Sequence, residues 1–261
     1  QLKISFFRLF ASVLLALSFS AAAQPAAAPA APPVYALLSL IGDKLDIVIA
    51  QPQTGTLVDR NRHEPLPIAD AVFDNTAISS AGDAIRRSIP KAELAALNSR
   101  SPVLFDRQRT LFADKDAILQ VPDAIMNAIR AQQATHFVLI SKHREEARLQ
   151  FYGNVDGSGR LEGLGFYLEG GTVVTDSSSG ESGRGYIAPF AYFTVTLADA
   201  KTMKILGRKS VTASTTISSA RALEDRASPW QALSAAEKVS IINRLIQREV
   251  GRVMRELMRG G

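Results

Sequence analysis

An α+β domain is what the sequence predicts, with a mostly antiparallel sheet covered by helices and a long amphipathic helix at the carboxyl terminus. Three observations carry this. Apolar residues recur with helical spacing near 76–97, 121–133 and 228–258. From His136 onward the apolar period falls to two. The stretch from Phe190 to Ile217, rich in Thr, Val, Tyr and Phe, turns back on itself through Asp199-Ala200-Lys201-Thr202.

At the amino terminus, Lys3 and Arg8 precede an apolar run from Leu9 to Phe19, then Ser20-Ala21-Ala22-Ala23 before Gln24. This is the pattern of a secretory signal peptide cut after Ala23, and it predicts a periplasmic or secreted protein. The run is short of the ~20 residues that span a bilayer. Residues 24–33 are almost all Ala and Pro and read as an extended tether, so a single domain is expected over 34–261. With 0 Cys, the chain has neither disulfides nor thiolate metal ligands. Without residues 1–23, 28 Lys+Arg face 25 Asp+Glu, a formal charge of +3 that does not call for a nucleic-acid partner.

Within the domain, Tyr35–Ile41 and Leu45–Ala50 flank Gly42-Asp43-Lys44 and predict an opening β-hairpin. Polar, proline-punctuated residues 51–67 predict a loop. Asp74 or Asn75 can cap a helix carrying Ile78, Ala81, Ala84 and Ile85, and Pro90 is placed to start a short second helix through Leu97. Pro122 likewise opens a helix with Ile125, Ala128 and Ile129 inward. Strands are expected at His136–Ser141 and Leu149–Tyr152, the latter pairing with Leu161–Leu168 across the turn at 154–160, and residues 170–185 read as a Gly/Ser-rich loop.

The motifs that imitate chemistry lack their completing parts. Residues Asn154 to Leu161 copy the first eight positions of a calcium loop, but Gly165 stands where the bidentate Glu belongs. Ser88-Ile89-Pro90-Lys91 has the spacing of a Ser–Lys pair, with Pro between the two and no companion motif; Gly180-Glu181-Ser182-Gly183-Arg184 lacks the strand–helix context of a nucleophile elbow. Of the 3 His, at 63, 136 and 143, the last two are oddly spaced, which on one continuous strand sends them to opposite faces, where they could not share a metal. No catalytic residue, metal ligand or cofactor is therefore assigned.

Two places remain for a partner. In the last helix, Val239, Ile242, Ile246, Val250, Val253 and Leu257 share one face, while Arg244, Arg248, Arg252, Arg255 and Arg259 cluster within about 80° on the other. Such a face can dock an anionic partner, or be a solvated face neutralised by Glu249 and Glu256. The second place is the 170–185 loop, with Tyr167, Arg184 and Tyr186 at its margins.

The helix Pro122–Gln133, the strand Ala134–Ser141 and the later Ala191-Tyr192-Phe193-Thr194-Val195-Thr196-Leu197-Ala198-Asp199-Ala200-Lys201-Thr202 resemble the periplasmic accessory domains of the CsgG, LpoB and TolB amino-terminal type. Phe73-Asp74-Asn75-Thr76 resembles their early turn before a helix, and Met203 stands where their strand–turn–strand usually has Gly. The resemblance covers about half the chain and implies a non-catalytic role in envelope machinery. Function is thus expected to be recognition of an envelope protein or anionic component. The alternatives are a hydrolase built from convergent carboxylates such as Asp46, Asp74 and Glu145, and a membrane-surface binder working through the arginine face.

Overall fold

The computed structural model describes residues 31–260 apart from 52–58, 152–153, 176–181 and 219–228. The predicted signal peptide and most of the tether lie outside them.

The chain opens with β1 (Val34–Leu40) and β2 (Lys44–Ile49), followed by β3 (Arg62–Pro67), α1 (Val72–Ser88), β4 (Glu93–Leu97) and α2 (Pro102–Leu111). A small ribbon of β5 (Asp114–Lys115) and β6 (Ile118–Leu119) leads to α3 (Asp123–Ala131). Then come β7 (His136–Lys142), β8 (Arg144–Glu146), β9 (Leu149–Phe151), β10 (Asn154–Asp156), β11 (Arg160–Thr175), β12 (Ser182–Asp199), β13 (Ile205–Ser214) and β14 (Ile217–Ser218). A 3-10 turn at Pro229–Ala232 precedes the 25-residue α4 (Ala235–Arg259).

The predicted opening hairpin does not form. β1 pairs with β7 and β4, both parallel, whereas β2 pairs parallel with β11 and antiparallel with β3. Because β7 and β11 lie end to end along the same edge of β12, β1 and β2 are consecutive lengths of one long strand, interrupted at residues 41–43. Gly42 marks this break and not a reversal. The 18-residue β12 is the spine: its second half pairs with β7, its first half with β11, and β13 and β14 pair along it as well. Six antiparallel and three parallel pairings make up the main sheet, so the α+β class and the antiparallel bias hold, with parallel pairing where the amino-terminal strands enter.

Alternation along the strands sends one set of side chains to α1 and α4. Leu37, Ile47, Val138, Ile140, Phe166, Phe193 and Val195 meet Phe73, Ala77 and Ala81 of α1 and Ile242, Ile246, Val250 and Val253 of α4. Burying each large apolar side chain contributes about 1.5–3 kcal/mol before chain entropy is counted. The opposite face carries two separate clusters. Leu38, Phe137 and Leu139 pack beneath α2 and α3, and Tyr167, Tyr186, Phe190 and Tyr192 pack with Leu149 and Leu161. Residues 32–261 form one compact unit.

Other local expectations change. Glu93–Leu97 is a strand and not a helix: its Glu, Leu and Ala are good helix formers, but in-register pairing with Val34–Leu38 overrides that local preference. Arg62–Pro67, expected as loop, is an edge strand, where Pro65 and Pro67 are tolerated because the outer edge needs no amide donor. β9 pairs with β10, and it is β8 that pairs with the start of β11. The expected loop at 170–185 is mostly strand, since β11 runs to Thr175 and β12 starts at Ser182, with a register shift between Glu169 and Val173. α4 starts at Ala235, after a capping box in which Ser234 N–H donates to Glu237 Oε2 at 2.8 Å and Glu237 N–H donates back to Ser234 Oγ at 3.3 Å. No helix among the described residues is long and apolar enough to cross a membrane.

Candidate functional site

α1 and α4 lie side by side on one face of the sheet, joined by a hydrogen bond between Thr76 Oγ1 and Asn243 Oδ1 at 2.9 Å. Small residues face the seam: Ser79 and Ser80 on α1, Gly251 on α4. The absence of bulk there leaves a groove of about 710 Å3. Arg87 rims it from α1, Arg248 and Arg255 rim it from α4, and Asp83 is its one carboxylate.

The arginine stripe divides into two parts. Arg252 donates to Glu249 at 2.9 Å and to Glu256 at 2.8 Å, and Arg248 donates to Glu249 at 2.7 Å. Burial opposes the charge of Arg252, but these hydrogen bonds outweigh it and hold the guanidinium above its ordinary pKa. The same contact with Arg252, helped by Lys209, holds Glu256 below the carboxylate range. That half of the stripe is a neutralised ladder along the helix. Arg244 and Arg255 are exposed and make no ion pair among the described residues, and neither does Arg87 on α1. Of these unpaired arginines, Arg87 and Arg255 line the groove, and Arg244 does not. Sequence reasoning missed Arg87, because its neighbours on α4 come from the far end of the chain. The one available signal was Arg86-Arg87 in the last turn of a helix.

The loop-margin residues do not form a second surface. Tyr167 is 2% exposed and Tyr186 is 0% exposed, their rings stacked at 6.3 Å in the third core cluster. Tyr186 donates to Asp156 Oδ2 at 2.9 Å, and the Tyr167 hydroxyl bonds Ser158 at 3.1 Å, so the pair pins the 156–158 turn from beneath. Burial raises the pKa of both phenols. Alternation explains the placement: in β11 and β12 these positions point to the covered face. Arg184 pairs through its backbone with Val173 in the β11–β12 ribbon; its side chain lies outside the described residues.

The carboxylates offered for hydrolysis do not converge. Asp74 lies on the α1 side, where its Oδ1 accepts from Ser39 Oγ at 2.6 Å, Ile41 N–H at 3.0 Å and Gly42 N–H at 3.1 Å. It is thus not the helix cap, which falls on Ala71, but a plug for the break between β1 and β2. Burial pushes its pKa up, against the opposing pull of these hydrogen bonds. Asp46 alternates with Leu45 and Ile47 of that core and so points to the opposite face, where His63 Nδ1 lies 2.7 Å from its Oδ2. Glu145 belongs to β8, with His143 3.8 Å away. His136 sits at the other end of β7, stacked on Tyr35 at 4.5 Å, and burial lowers its pKa. The 154–161 segment forms a turn with Gly157 and Gly159 at positive φ, and Ser88 closes α1 by donating to Ala84 O.

No family model and no curated protein matches the chain. Solved structures align over most of its length at low identity. They include a Xanthomonas campestris protein of the DUF330 family (8% identity, TM-score 0.38, covering 90% of each chain). A neuraminyllactose-binding hemagglutinin homolog from Helicobacter pylori aligns at 8% identity and TM-score 0.39, over 87% of this chain and 83% of that one. PelC of Paraburkholderia phytofirmans, a dodecamer, aligns at 11% identity and TM-score 0.32, over 87% and 86%. At these scores the likeness carries no function across.

Proposed function

We propose that this chain is an exported, non-catalytic binding protein of the bacterial envelope, and that it recognises an acidic protein surface through the groove between α1 and α4. The observation that carries the reading is the convergence of Arg87, Arg248 and Arg255 on a groove floored by Ser79, Ser80 and Gly251, with Asp83 as the only carboxylate on its wall. Two of these arginines have no ion-pair partner among the described residues. Their charge is available to a partner at no cost in internal pairs. The signal-peptide pattern supports export, and the resemblance to CsgG, LpoB and TolB-type domains supports an accessory role.

A protein surface is favoured over a lipid surface by the shape and by the apolar content. A helix that settles into a bilayer presents large apolar side chains beside its cations. On α4 the exposed large apolar residue is Val239 alone among the described residues, at 38%. The test is a pull-down from native envelope extract with the protein and with a double variant, Arg87→Glu and Arg255→Glu, chosen to spare the Arg252 ladder. Capture lost by a variant that melts like the parent supports the groove; equal capture by both removes it. Binding of both proteins to phosphatidylglycerol vesicles, with no protein captured, would replace the reading with a lipid one.

A further inference from the structure

The opposite face of the sheet holds a second cavity, of about 380 Å3, between α2, the β5–β6 ribbon and β7, β12 and β13. β12 shows why it is there. Its side chains on this face are Tyr186, Ala188, Phe190 and Tyr192, all buried and apolar-bodied, but the next two in the alternation are Thr194 and Thr196. The neighbouring strands change in the same place. Ser141 of β7 and Ser210 of β13 sit opposite Thr194 from its two sides, placing three hydroxyls abreast across three strands. One row further, Arg208 of β13 lies opposite Thr196 and donates to its Oγ1 at 3.2 Å, and Thr196 is only 2% exposed. The apolar sheet face is interrupted by a hydroxyl floor between its two core clusters.

The walls are rich in donors. Arg109 reaches in from α2, His143 from the end of β7 and Arg208 from β13, while Asp114, already bonded to Arg208, is the only carboxylate in the lining. Arg109 is held by Glu162 at 3.0 Å, with half of its side chain still exposed. Exposed pairs of this kind are worth ~1 kcal/mol or less and exchange readily with an incoming anion. Phe112, Leu119 and Leu139 supply an apolar side.

From this arrangement we infer a second binding site, for a small polyhydroxylated carboxylate of sugar-acid size. The carboxylate would take the free donors of Arg208, Arg109 and His143; the ligand's hydroxyls would exchange hydrogen bonds with the Ser141–Thr194–Ser210 row, since a hydroxyl both donates and accepts. The volume is within the usual range of small-molecule pockets. The site lies on the other side of the sheet from the α1–α4 groove and does not rest on the function proposed for that groove.

The probe is D-glucuronate, titrated into 15N-labelled protein, with D-glucose and acetate as the arms that lack the charge and the hydroxyls. The site predicts amide shifts centred on Ser141, His143, Thr194 and Ser210 with glucuronate, and affinities at least about tenfold weaker for glucose and for acetate. Arg208→Gln and Ser210→Ala, both at exposed positions, should each weaken glucuronate by roughly three- to tenfold or more while the melting temperature stays close to that of the parent. The Arg87, Arg255 double reversal should leave it unchanged. No shift at these amides up to about 20 mM glucuronate, equal binding of acetate, or full binding by a folded Arg208→Gln protein would each overturn the inference.

Discussion

Asp74 accepts the amide of Gly42 at 3.1 Å across a gap so close that a Cβ on residue 42 would lie 2.7 Å from the other carboxylate oxygen. The break between β1 and β2 leaves two amides without a strand partner, and the first turn of α1 supplies the acceptor that the sheet cannot. Asp74→Ala should therefore cost on the order of 2–4 kcal/mol, because buried donors lose their only acceptor. Gly42→Ala should cost about 1–3 kcal/mol through the clash alone. Urea unfolding measures both.

The same carboxylate predicts a pH effect. Its folded pKa is raised above the ordinary value of 3.8, so the native state holds the proton more tightly than the unfolded chain. Stability from this group is then present below about pH 3.8 and declines as pH rises through the folded pKa. Asp74→Asn keeps an acceptor oxygen and cannot ionise. It should flatten that decline in urea midpoints taken from pH 4 upward, and a parallel pair of curves would contradict this origin.

His136 works in the other direction. Burial against Tyr35 lowers its folded pKa beneath 6.5, so the unfolded chain binds the proton first and stability falls as pH drops below about 6.5. His136→Phe preserves a stacked ring and removes the proton. Its melting temperature should fall less than the parent's between pH 7.5 and pH 5.

Two of the left-handed residues, Ala117 and Met203, should respond to glycine with opposite signs. Asp116 and Ala117 hold φ of 54° and 60° at the exposed tip of the β5–β6 ribbon, a turn in which an L side chain is strained. Ala117→Gly should stabilise by about 0.5–1 kcal/mol, the relief less the added entropy of the unfolded chain. Met203 has φ 57° after the Asp199–Thr202 turn, but its side chain is buried beneath α2 and α3. Met203→Gly should destabilise by about 1–4 kcal/mol, the lost packing exceeding the relief.

Tyr186→Phe should cost about 1 kcal/mol, because Asp156 loses the phenol's hydrogen bond while the stacked ring remains. Chemical denaturation against the parent measures it.

Periodicity made α1, α3, α4 and the β12–β13 pair legible, since each carries its own amphipathic pattern. What it could not supply was pairing between distant segments. Tyr35–Ile41 and Leu45–Ala50 have the composition of a hairpin, but β7 and β11 take their edges, more than a hundred residues downstream. Pro102–Leu111 was not recognised as a helix because its inward side is thin, with Phe105 and Gln108 as its buried residues. The arginines of α4 were legible as a stripe, yet which of them are free depends on Glu249 and Glu256 rotamers and on the approach of Arg87. Tyr167 and Tyr186 flanked an apparent loop whose strands run further than its glycines suggest. The hydroxyl row was invisible, since Ser141, Thr194 and Ser210 meet only through register.

The long interrupted strand also dictates the order in which the molecule can be completed. β1 lies between β4 and β7, with Tyr35 in register with His136, and β2 lies beside β11, with Leu45 in register with Leu164. β12, which joins both halves, ends only at Asp199. The amino-terminal strands thus wait for β7, β11 and β12 before the centre of the sheet can close, and pairing over such separations is slow. The centre of the sheet therefore stays open until the residues up to Asp199 are in place.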